Sequence, residues 1–177
     1  MKIAVLILCI APVWAQAPLK PVVSPSTEKP TVARKVFTEL ESNFDYKLRA
    51  ASAKDPFDLL GLTRGLYLPG YGAVLTTELS LIVTPPITPF HLKITPEEAA
   101  KVHQRKLENL PQLRRTMQGL WRDAALALTS VPDSEQVVVA VRVLYQPWED
   151  TGGLPGQIVM KGSRKAALGG DIQTEEE

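Results

Sequence analysis

Two charges interrupt stretches that otherwise read as apolar strands. Arg142 breaks the run Val137, Val138, Val139, Ala140, Val141, and Glu78 breaks a second long strand pattern. A charge taken out of water needs a partner. A cross-strand Glu78–Arg142 pair is therefore expected, with Arg64 as a second basic candidate for Glu78. If Arg64, Tyr71, Glu78 and Arg142 converge in a concave pocket, they could bind a small ligand or support hydrolysis.

Tyr71 belongs to the segment Leu68-Pro69-Gly70-Tyr71-Gly72. The glycines suit a tight turn between two strands, because glycine takes positive φ without a Cβ clash. That turn chemistry accounts for both glycines, so the structural reading is preferred. The functional reading exposes Tyr71 as a contact. No Gly-Lys-Ser/Thr follows, so the segment is not a phosphate loop. A second polar cluster, Trp148, Glu149 and Asp150, lies beside Gly152 and Gly153. Tryptophan is enriched at binding hot spots. The alternating acids of a calcium-binding loop are missing. The preferred reading makes Trp148 a lid over a sheet end, with the acids solvated. If two hairpins lie side by side, Tyr71 and Trp148 share one edge.

No catalytic residue, metal or cofactor is assigned. His91 and His103 are the only histidines and Cys9 the only cysteine. No His-x-x-x-His spacing marks a metal site and no Gly-x-Ser-x-Gly marks a nucleophile. Glu97, Glu98, Asp55 and Asp58 fit helix starts, where acids meet the positive end of the dipole.

The elements that must position these residues follow from periodicity. A helix is expected over 32–53, with Val32, Val36, Leu40, Phe44 and Leu48 on one stripe and Thr31 as its cap. Asp55-Pro56 ends it, and 55–61 reads as a short capped turn. Strands are expected at 65–68 and about 73–83, the second with Leu75, Thr77, Leu79 and Leu81 on one face. Thr95-Pro96-Glu97-Glu98 starts a second helix through a capping box. Its stripe runs Ala99, Val102, Lys106, Leu110, Leu113, Met117, Leu120. Pro111 should kink or break it, and the stripe is wide enough to leave a partner surface. Strands at 137–145 and 157–161 complete the pattern. The order is helix, hairpin, helix, hairpin. The fold class is α+β, a two-layer sandwich with an antiparallel sheet of about four strands and two main helices on one face.

Residues 1–15 read as a cleavable signal peptide, with Lys2, an apolar run over 3–11 and small Ala15 at the cut. Cleavage after Ala17 is disfavoured because Pro18 would follow it. The apolar run is about half of what a membrane span needs. A proline-punctuated linker covers 16–30, one globular domain 31–165 and a flexible acidic tail 166–177. Loss of the signal removes Cys9, so no disulfide is expected despite an oxidising destination. The full chain carries a formal charge of +1, and losing Lys2 brings the mature chain to neutrality. Without a basic stripe, nucleic acid is not an expected partner, and no membrane insertion is expected after cleavage.

These features describe an exported chain, periplasmic or secreted, and favour a non-enzymatic interaction or accessory domain. Its expected partner is another envelope or secreted protein. The alternative is a small-ligand-binding protein or hydrolase built on the polar residues around the first hairpin.

Overall fold

The computed structural model describes residues 31–85 and 93–177. The segments expected to be a signal peptide and a linker, and His91, lie outside the described residues. The elements run α1 (Arg34–Ala50), β1 (Asp58–Leu59), β2 (Arg64–Leu68), β3 (Gly72–Ser80), α2 (Pro96–Ala127), β4 (Gln136–Val143), β5 (Gln157–Ser163), α3 (Arg164–Gly169) and β6 (Gln173–Glu176). The class is α+β, with a mixed six-stranded sheet and three helices among the described residues.

The sheet order is β1-β3-β4-β5-β6, with β2 also paired to β3. This corrects the all-antiparallel expectation. β3 and β4 are parallel, with Gly72 opposite Gln136 and Leu79 opposite Val143. A parallel pair needs a connection that carries the chain back to the starting end. Helix α2 supplies it, with 32 residues against nine in β3. The other pairings are antiparallel.

Alternation along each strand sorts the side chains. Ala73, Leu75 and Leu79 of β3 and Val137, Val139, Val141 and Val143 of β4 belong to the core cluster. So do Phe37, Leu40, Phe44 and Leu48 of α1 and Leu110, Leu113, Met117, Leu120 and Trp121 of α2. Burying one such side chain contributes about 1.5–3 kcal/mol. Two contacts are close enough to dictate sequence. A Cβ on Gly65 would lie 2.4 Å from the Phe37 ring, and one on Gly162 would lie 2.8 Å from Trp121. Trp121 Nε1 donates to the Val137 carbonyl at 2.7 Å, satisfying its polar atom within the core.

The capping box at Thr95 forms as expected. Glu98 N donates to Thr95 Oγ1 at 3.2 Å, and Thr95 N to Glu98 Oε2 at 2.8 Å. Pro111 does not break α2, which is continuous through it. Leu110 and Leu113 are buried on either side of it, so packing offsets the lost backbone bond. Helix α1 starts later than expected, with Ala33 at its N-cap and no side-chain cap.

The carboxyl end differs most from expectation. In place of a frayed acidic tail, Ser163 caps α3 and residues 173–176 add β6 to the sheet edge. Gly170 turns the chain with φ +90°. Arg114 holds Glu176 through two bonds of 2.7 and 2.6 Å, and Lys161 holds Glu175 at 2.6 Å. The acids that suggest a solvated tail are matched by cations that only the fold brings near.

Candidate functional site

The sheet side opposite the core cluster carries Arg64, Leu66 and Leu68 of β2, Thr76 and Glu78 of β3, and Arg142 of β4, all exposed. Arg64 pairs with Thr76, which pairs in turn with Ala140. One step along, Glu78 pairs with Arg142, which pairs with Gln157. Short side chains at Thr76 and Ala140 thus lie beside long ones at Arg64, Glu78 and Arg142. The result is a groove of about 380 Å³, with Leu62 and Gly61 at its margin.

Three of the sequence-nominated residues therefore converge. Arg142 Nη1 lies 3.4 Å from Glu78 Oε1, with side-chain exposures of 65% and 49%. The cross-strand pair exists, but it stands in water. Arg64 lines the same groove without joining the pair.

Tyr71 sits in the turn between β2 and β3, beyond the groove, and is about half exposed. The Tyr71 carbonyl accepts from Gln136 N at 2.7 Å. Gly72 has φ +137°, and a Cβ there would lie 1.9 Å from the Gln136 carbonyl oxygen. The glycine is required by that approach. Glu135 fastens the turn, accepting from Tyr67 Oη at 2.7 Å and from Gly70 N at 3.1 Å. Partial burial, then this bond, pushes the Tyr67 phenol up to about 12.

Trp148, Glu149 and Asp150 lie elsewhere. They follow the carboxyl end of β4, whereas Tyr71 precedes the amino end of β3. The parallel register puts these at opposite ends of the sheet, about 23 Å apart at the usual rise. The shared edge expected for Tyr71 and Trp148 does not form. Asp150 Oδ1 accepts from Gly152 N at 2.9 Å, a local turn bond, and the Asp150 carbonyl accepts from His103 Nδ1 at 2.9 Å. Trp148 is half-buried.

Glu149 is not solvated. Its side chain is 2% exposed and its Oε2 accepts from Lys106 Nζ, whose side chain is fully buried. The Lys106 ammonium also lies 4.8 Å from the centre of the Tyr145 ring, a cation–π distance. Burial pulls the Lys106 pKa down, and the Glu149 hydrogen bond only partly opposes that. Burial, then the Glu149 charge, pushes Tyr145 up to about 12. Lys106 falls within the apolar stripe of α2 in the sequence. That position was the signal: a cation on a buried stripe requires an anion.

The apolar stripe of α2 leaves little for a partner. Its core-facing residues are buried, and Leu126 is the large apolar residue it exposes. Of the exposed leucines, Leu62 lines the groove and Leu66 and Leu68 lie further along β2, each about half exposed, while Leu60 and Leu168 lie outside both. Among the described residues, no group of three or more His, Cys, Asp or Glu side chains is arranged to hold a metal ion. No described helix is long and apolar enough to cross a membrane. Comparison with protein-family models, with curated proteins and with solved structures finds no match to this chain.

Proposed function

We propose that this chain is an exported, non-enzymatic interaction domain that binds another envelope or secreted protein through the sheet side opposite its helices. Export rests on the amino-terminal pattern of Lys2, an apolar run and Ala15. In a two-layer arrangement the helices cover one sheet side and leave the other to a partner.

The observation that carries it is the exposure of Leu62, Leu66 and Leu68 at 54%, 46% and 45%. Scattered exposed leucines are ordinary, but Leu66 and Leu68 follow Arg64 along one side of β2 and Leu62 lines the adjoining groove, and such a row on one sheet side favours an interaction surface. A second reading, a small-ligand-binding protein, draws support from the convergence of Arg64, Glu78 and Arg142 in that groove. Its hydrolytic version would have to rest on Thr76, Thr77 and Glu78, because the described lining holds no serine, cysteine or histidine.

A photocrosslinking residue at Leu66 tests the proposal, with one at Tyr46, 70% exposed on α1, as control. In exporting cells, Leu66 gives a discrete protein adduct and Tyr46 does not. Equal adducts from both positions, or none from Leu66, overturn it.

A further inference from the structure

The groove permits a narrower statement, which rests on the reading of this sheet side as a binding surface. Its charge is set by three side chains. Arg142 and Glu78 form an ion pair at 3.4 Å, the long limit for a hydrogen bond, and both are largely in water. Such a pair is worth little and exchanges readily with a competing ligand. Among the described residues, no hydrogen bond or ion pair engages the Arg64 guanidinium. The lining therefore presents one unpaired cation and one loosely paired cation, with a net charge of one positive.

The floor between the two guanidinium groups is small and weakly polar. Thr76 and Ala140 lie side by side across β3 and β4, and Leu62 stands at the margin. The Gln157 amide adds a donor NH2 group and an acceptor carbonyl oxygen at the far side. We infer that the groove takes a monoanionic carboxylate with a short aliphatic body, the carboxylate held between Arg64 and Arg142 and the aliphatic part against Leu62 and Ala140. A guanidinium presents a planar fork that matches a carboxylate in two parallel bonds. Glu78 sets the charge limit. One negative charge is balanced by Arg64, whereas a second meets the Glu78 carboxylate in the same groove. The site thus rejects dianions through Glu78 and cations through Arg64.

The test uses the full chain, isotopically labelled, and reads backbone amide shifts at Leu62, Arg64, Thr76 and Arg142. The probes are hexanoate, inorganic phosphate and hexylammonium, at about pH 8, where phosphate is mainly the dianion and the other two carry one charge each. Hexanoate produces saturable shifts at these positions, and the other two bind at least about tenfold more weakly. Arg64→Gln weakens hexanoate by about tenfold, and Glu78→Gln brings phosphate to within a few-fold of hexanoate. Both side chains are exposed, and the remaining amide spectrum reports that each variant is folded. Equal binding of phosphate by the native chain, an unchanged affinity in Arg64→Gln, or no saturable hexanoate shift overturns the inference. A Leu66 adduct without hexanoate binding removes the ligand class alone; loss of both removes the binding surface itself.

Discussion

Two of the glutamate ion pairs among the described residues sit in opposite dielectric settings. Lys106–Glu149 lies under the segment that follows β4, with both side chains out of water. Arg142–Glu78 lies on the sheet with both side chains in water. Coulomb attraction is weak in the second and strong in the first, but the first has also lost the hydration of two ions. Burial makes Lys106–Glu149 an anchor: with His103 on the Asp150 carbonyl, it fastens the 144–156 segment to α2. Exposure makes Arg142–Glu78 exchangeable, which suits a binding surface. Close approach of opposite charges does not by itself say which role a pair has; the surrounding solvent does.

The largest expected effect comes from breaking the buried pair on one side only. Lys106→Met leaves the Glu149 carboxylate buried without its cation, and urea unfolding should show a loss of about 3–5 kcal/mol. The double change Lys106→Met with Glu149→Leu removes both charges and should recover most of that loss. Failure of the second change to recover stability would show that the pair's geometry, not its burial, holds the segment.

A pH series gives a smaller, signed effect. The folded Lys106 pKa is depressed, so the unfolded chain holds that proton to higher pH. Its contribution to stability therefore rises as pH climbs from the depressed value towards 10.5. Tyr145 acts in the opposite sense. Its folded pKa is raised from 10.0 to about 12, so its contribution is complete below 10 and is lost as pH rises through about 12. The stability advantage of the native chain over Tyr145→Phe should therefore shrink over that upper window, as read by denaturant melts.

The smallest effect belongs to the exposed pair. Glu78→Ala should change unfolding stability by no more than about 1 kcal/mol, and added salt should erase the difference. A larger loss would place this pair in the same class as Lys106–Glu149 and collapse the contrast.

Much of the scaffold was legible because it depends on local rules. The Thr95 capping box, the strand alternation around Leu75 and Leu79, and the turn at Gly70 and Gly72 each follow from neighbouring residues. The direction of β4 against β3 was not legible, because it depends on where α2 returns the chain. That one fact separated Tyr71 from Trp148. The groove was partly legible: Glu78 and Arg142 stand out as charges in strands and Arg64 as a second basic partner for Glu78, yet their shared exposed side follows from the register. Glu149 sits in a loop, and loops are usually solvated; its burial comes with Lys106, distant in sequence.

The sequence by itself determined the capping-box start of α2, the turn at Gly70 and Gly72 and the alternation that divides each strand into two sides. These are properties of a few adjacent residues, set by sterics, hydrogen bonding and periodicity. The tertiary structure alone decided the rest. It made the β3–β4 pairing parallel, folded the acidic end into β6 against Arg114 and Lys161, buried Glu149 and left Glu78 in water. The environment of a charge depends on residues far along the chain, and only packing brings those residues together.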